Sequence, residues 1–273
     1  MFDPALFDLL KISLVEVLMV CLLAGVMGIF VVNFQMAFFS DAISHSAFTG
    51  VALGLIAGVD PLLTVVAFGV IIGLFVVYFK KKTGMSYDTI IGVLFSFSVS
   101  LGIVIVSSFK GLFRNFHSFL YGDILLISSQ DLLITFILLM VVSLFILLNF
   151  DKLTLIGIDE AYASTHVKGV TTIKYAFSLL LGLVVTLSIK TVGILLVTAL
   201  LVVPAASARA ISNSIIWMFF SSIILSLLSG IGGIFLSFQM NSSTGASIVI
   251  VSCLFFLLGT LWKNLRYQLS MGK

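Results

Sequence analysis

A chain of 273 residues with 61% hydrophobic and 9% charged residues cannot cover a water-facing surface, since soluble domains carry about 25% charged residues. The bilayer is the environment that accepts so much apolar side chain, and it demands that backbone polar groups be satisfied within the fold. Mean hydropathy of +1.30 agrees; the formal net charge of +3 carries little information as a total, and no nucleic-acid partner is expected.

A helix needs roughly 20 mostly apolar residues to cross the hydrocarbon core. Runs of that kind lie at 14–34, 42–59, 61–79, 89–109, 132–150, 175–189, 191–208, 213–236 and 246–262. They predict an all-α polytopic membrane protein with eight or nine transmembrane helices, in one domain over 1–273. The segments 42–59 and 175–189 are short, and one of them is open to being half-buried in the bundle rather than a full crossing. Before the first segment stand Asp3 and Asp8 rather than a basic region, so that span is expected to act as its own uncleaved signal. Glu16, inside it, either faces a pore or reaches the interface.

The second segment carries Gly50, Gly54 and Gly58 at every fourth position, a spacing that puts them on one helix face where a neighbouring backbone can approach. Lys80, Lys81 and Lys82 after the third segment mark a cytoplasmic end, because basic residues sort to that side. The next connection, with Lys110, Arg114, His117, Asp123 and Asp131, is then external; His117 reads as a solvated surface histidine. The longest polar loop, about 151–174, holds Lys152, His166, Lys168 and Lys174 and returns to the cytoplasmic side. Lys190 falls at a segment boundary, where a lysine snorkels. Gly230, Gly232 and Gly233 are expected to loosen or kink the eighth segment. Arg209 and the tail with Lys263, Arg266 and Lys273 are cytoplasmic. Cys21 and Cys253 both sit in apolar runs and read as small core residues.

Motifs for chemistry are absent: the chain has no G-x-x-x-x-G-K-[ST], no H-E-x-x-H and no G-x-S-x-G, so neither a P-loop nor an intramembrane hydrolase is indicated. The informative polar cluster is Ser40-Asp41-Ala42-Ile43-Ser44-His45-Ser46. On a helix, Asp41 and His45 share a face with Cβ atoms about 5–6 Å apart. A carboxylate and an imidazole suit a borderline cation such as zinc; two ligands suit a transit site better than a closed one. The other reading, equally open on spacing alone, is an Asp–His hydrogen bond that steadies the helix start. Farther along, Ile158 to Gly169 reads as a short solvated helix with Asp159 and Glu160 at its start and glycine at its end. It would either dock a soluble partner or lie on lipid headgroups.

Five stretches taken together resemble the zinc, manganese and iron permeases of ABC importers, over nearly the whole chain. They are Asp41 to Gly54, Asp88-Thr-Ile-Ile-Gly92, Tyr121-Gly-Asp-Ile-Leu125, Asp159-Glu-Ala161 with Gly169, and Val192 to Arg209 with its Pro204-Ala-Ala. Within the family, Gly122-Asp123 and Arg209 look more like the zinc-uptake members. The resemblance implies a non-catalytic permease subunit of the bacterial cytoplasmic (inner) membrane, with no permanently bound cofactor. It implies a transported divalent metal, a homodimer with the path at its interface, a separate ABC ATPase subunit and an extracytoplasmic metal-binding protein. It places metal contact on Asp41 and His45, and ATPase docking on Asp159, Glu160, Ala161 and Gly169. The metal could also be manganese or iron. A stand-alone ion-coupled transporter is the competing function, disfavoured because only Glu16, Asp41 and His45 could couple fluxes inside the membrane.

Overall fold

The computed structural model describes residues 4–108 and 128–271, with side chains described for 11–108, 128–189, 192–193 and 196–263. The described residues form ten helices and no strand: α1 (Pro4–Asn33), α2 (Phe39–Ala57), α3 (Pro61–Thr83), α4 (Tyr87–Ser108), α5 (Ser129–Ile158), α6 (Glu160–His166), α7 (Val170–Val192), α8 (Ile194–Ile211), α9 (Ile215–Met240) and α10 (Thr244–Met271). Helix starts follow local chemistry. Asp60 accepts from the Leu62 amide ahead of Pro61 to open α3, and Ser128 with Asp131 closes a reciprocal capping box on α5.

Seven of these helices are long and apolar enough to cross a membrane by length and composition alone. The other two of near-spanning size, α2 and α8, are interior helices: α2 packs against α3, α4, α7 and α8, and α8 against α1, α9 and α10. Side-chain pairings give the directions. Phe39 lies beside Gly73 and Ile43 beside Gly69, so α2 and α3 are antiparallel. Gly69 meets Thr186 and Gly73 meets Ser178, which makes α3 and α7 antiparallel. His45 packs on Phe95 and Thr49 bonds to Ser98, so α2 and α4 are parallel. Ser222 and Ser226 reach Gly25 and Cys21, setting α9 antiparallel to α1. Gly245 sits by Leu196 and Gly259 by Ile211, so α8 and α10 are parallel. All nine apolar segments thus become helices of the bundle, seven of them of spanning length and composition, close to the expected eight or nine. Of the eleven Lys and Arg residues among the described ones, nine fall on the side of the α3–α4 turn, which is the cytoplasmic side by the basic-residue rule.

The helices are joined by small residues and hydroxyls, the adhesives available where lipid is as apolar as leucine. Ser226 Oγ donates to the Cys21 carbonyl at 2.7 Å, Ser222 Oγ to Gly25 at 3.0 Å and Ser178 Oγ to Gly73 at 2.7 Å. Gly50 faces the Val65 backbone and Gly54 faces Pro61 and Thr64, as the four-residue spacing predicts. Gly58 does not join them: it caps α2 in the left-handed region at φ 65°, with nothing packed on it.

Gly230, Gly232 and Gly233 lie within the continuous helix α9, where Gly230 accommodates the Cys21 sulfur and Gly233 the Ile248 backbone. Three further expectations need correction. Cys21 is buried as expected, but Cys253 is exposed, because α10 turns that face outward. The polar loop is shorter than 151–174, since α5 runs to Ile158 and α7 starts at Val170, so Lys152 and Lys174 are helical. Gly169 ends no helix: α6 stops at His166, and Gly169, at φ 80°, opens α7.

Candidate functional site

Asp41 and His45 occupy the first two turns of α2, on the strip of that helix its neighbours leave least covered. Asp41 is half-buried and His45 exposed, while Ala42, Ile43, Ser44, Ser46 and Ala47 around them are buried. The level is set by packing: Phe39 against Gly73 and Ile43 against Gly69 bring this stretch opposite the middle of Pro61–Thr83. The pair thus lies near the centre of the bundle's thickness. This is possible because α2 begins deep: the connection ahead of it is itself packed inside, with Phe34 and Met36 buried, the condition under which non-helical backbone is tolerated at membrane depth.

The two side chains do not hydrogen-bond to each other, and neither has a hydrogen-bond or ion-pair partner among the described residues. The His45 ring stands edge-on to Phe95, with centroids 5.3 Å apart. The N-cap residue of α2 is Phe38, which makes no side-chain cap, so the reading of the pair as a bonded helix-start brace finds no contact here. No group of three or more His, Cys, Asp or Glu converges anywhere among the described residues. Among the described residues, one copy of the chain therefore offers one oxygen-donor and one nitrogen-donor side chain on this open face.

The remaining ionisable candidates separate from this pair. Glu16 neither lines a pore nor reaches the interface: it is fully buried between α1 and α5, where Thr135 Oγ1 donates to its Oε1 at 2.7 Å. His166 is in the last turn of α6, exposed and stacked on Tyr162 with ring centroids 4.0 Å apart. Lys190 is at the end of α7, a helix boundary as expected; its side chain, like His117, the Tyr121–Leu125 stretch, Lys110 and Arg114, lies outside the described residues.

The expected docking segment is α6, projecting at the cytoplasmic end between α5 and α7. Its two acids are engaged within the chain. Asp159 is the N-cap, accepting from the Tyr162 amide at 2.9 Å, and Glu160 Oε1 pairs with Lys174 Nζ at 2.5 Å. Ala163 is buried and fastens the helix, while Ala161, Tyr162, Ser164, Thr165 and His166 are exposed. What sequence reasoning missed is the company Lys174 keeps: its ammonium and that of Lys80 both stand over the ring of Tyr87. A lysine placed four residues into an apolar helix was the available signal.

The chain can now be set beside known proteins. Residues 6–263 match the model of the ABC 3 transport family. The high-affinity zinc uptake system membrane protein ZnuB of Haemophilus influenzae is 32% identical over 261 residues, covering 96% of this chain and all of the relative. The manganese import system permease protein ScaB of Streptococcus parasanguinis is also 32% identical, over 92% of this chain and 90% of its own. Among solved structures, PsaBC from Streptococcus pneumoniae in complex with Fab superposes with a TM-score of 0.77 at 31% identity, over 92% of this chain and 90% of that one. Family membership sets aside the stand-alone secondary transporter: the chain belongs to the ABC 3 transport family, the metal ABC transporter permeases its motifs resemble.

Proposed function

We propose that this permease imports zinc, with Asp41 and His45 as transit ligands in the middle of the membrane. The carrying observation is that pair: a carboxylate and an imidazole on one open helix face, at mid-depth, with no partner among the described residues. An ionisable pair left unpartnered at that depth is costly unless a ligand uses it. Neutral imidazole and carboxylate are donors zinc accepts. The permease is itself non-catalytic; ATP is hydrolysed on a separate ATPase subunit seated on the exposed surface of α6. An extracytoplasmic binding protein delivers the ion. Because one copy supplies two ligands, a second copy facing it across the His45 side would bring the set to four. Manganese is the second reading, favoured by relatives of equal identity whose names carry that metal, and it too accepts oxygen and nitrogen donors.

The test is uptake by the complete transporter, permease with its ATPase and binding protein in liposomes, offered zinc, manganese and ferrous iron singly. ATP-dependent accumulation of zinc in preference to the others is the expected result. Preference for manganese or iron would replace the first reading, and accumulation of none would remove the importer role.

A further inference from the structure

At the cytoplasmic end of the bundle, one aromatic ring is gripped from two helices. Lys80 Nζ, from α3, is 5.2 Å from the centroid of Tyr87, and Lys174 Nζ, from α7, is 5.1 Å from it. Both lie inside the roughly 6 Å range in which a ring face attracts a cation. Each cation is held by a second contact. Lys80 donates to the Met85 carbonyl at 2.9 Å, and Lys174 pairs with Glu160, the first residue of α6. Tyr87 and Lys174 are each only 8% exposed, and lysine is almost never so buried unless paired. Four elements thus meet at one point: α3, α4, α6 and α7.

Tyr87 is also the first residue of α4, and α4 runs beside the helix that carries the metal ligands. Thr49 Oγ1 donates to the Ser98 carbonyl, His45 packs on Phe95, and Gly102 lets Thr49 of α2 approach the α4 backbone. A continuous physical route therefore runs from α6 through Glu160, Lys174, Tyr87 and α4 to α2.

We propose that Lys174 and Tyr87 are the positioning residues that convey a shift of the docking helix to the metal-bearing helix. The proposal rests on the reading of α6 as the ATPase dock. Displacing α6 without Lys174 would strand a buried ammonium away from its carboxylate, which is far costlier than moving the two together. Displacing Lys174 uncovers one face of Tyr87, so the start of α4 follows. A chain of packed contacts earns the name of a route only when its links are shown to be coupled, and charge exchange across the Glu160–Lys174 link provides that evidence.

The experiment uses the permease–ATPase complex in liposomes, measuring metal accumulated and ATP hydrolysed together, with zinc and manganese as separate probes. Lys174→Met and Tyr87→Leu should each lower metal moved per ATP by about five- to tenfold, within the range of ordinary coupling strengths, while ATPase binding and hydrolysis persist. Tyr87→Phe, which keeps the ring, should stay near the unmodified ratio. The exchange Glu160→Lys with Lys174→Glu should recover a large part of what either change alone loses. An unchanged ratio in Tyr87→Leu, or no recovery in the exchange, overturns the proposal; if Lys174→Met fails to insert, Tyr87→Leu and the exchange decide. Cross-linking from Tyr162 or Thr165 to the ATPase in the unmodified complex separates the two claims. Absent cross-links refute docking on α6, whereas present cross-links with an unchanged ratio refute only the route.

Discussion

Glu16 and Asp41 are both carried on helices of the bundle, and the contrast between them is instructive. Glu16 is sealed between α1 and α5 and receives a hydrogen bond from Thr135. Asp41 is half-buried on a face of α2 left open, beside a histidine, with no protein partner among the described residues. From sequence both stand as ionisable residues able to couple fluxes inside the membrane. Packing divides them into a fastening that holds two helices together and a donor kept available. An ionisable residue in a membrane helix is a functional hypothesis by default, but one enclosed between two helices and hydrogen-bonded across them has a sufficient structural explanation.

The sharpest way to break this contrast is at Asp41 and His45. Asp41→Asn and His45→Ala should each cut metal uptake by more than about tenfold, the lower end of what even outer-shell changes cost a metal site, with little change in the melting temperature of the purified protein. Near-normal uptake by both would return the pair to a structural role. The reverse pattern is expected at Glu16. Glu16→Ala strands the Thr135 hydroxyl in the interior, at about 1–3 kcal/mol, and should lower the melting temperature while uptake per inserted molecule holds. If a well-folded Glu16→Gln lost uptake per molecule, Glu16 would belong to the pathway after all. The smallest effect compares the two cysteines. Cys21→Leu crowds Gly230 and should cost about 1–3 kcal/mol by overpacking. Cys253→Leu, on an exposed face, should stay within about 0.5 kcal/mol of the parent, and equal losses at both would mean that α10 is covered by another chain.

Much of this architecture was legible before any coordinates. All nine apolar segments became helices, because run length and charge placement are local properties. The Asp41–His45 pair was legible too, as a four-residue spacing. Its depth was not, because depth depends on the register of α2 against α3, set by Phe39 meeting Gly73 and Ile43 meeting Gly69. The roles of the glycines failed for a related reason. Gly54 and Gly58 are indistinguishable by spacing, yet one packs on Pro61 and the other ends the helix at positive φ. The Lys80–Tyr87–Lys174 grouping brings Lys174 in from far along the chain, so only the fold could assemble it.

One joint in the bundle has a mechanical consequence. α7 ends and α8 begins at a single residue, Gly193, with φ 83° and ψ 163°, a backbone region that is essentially glycine's alone. A loop of several residues would act as slack and absorb a displacement of one helix before its neighbour felt it. One residue reaches no more than about 3.6 Å, so there is almost nothing to take up. A push along the axis of α7, which starts just after α6, would therefore meet almost no slack before it reached α8. Lengthening this joint by inserted glycines would act as a clutch.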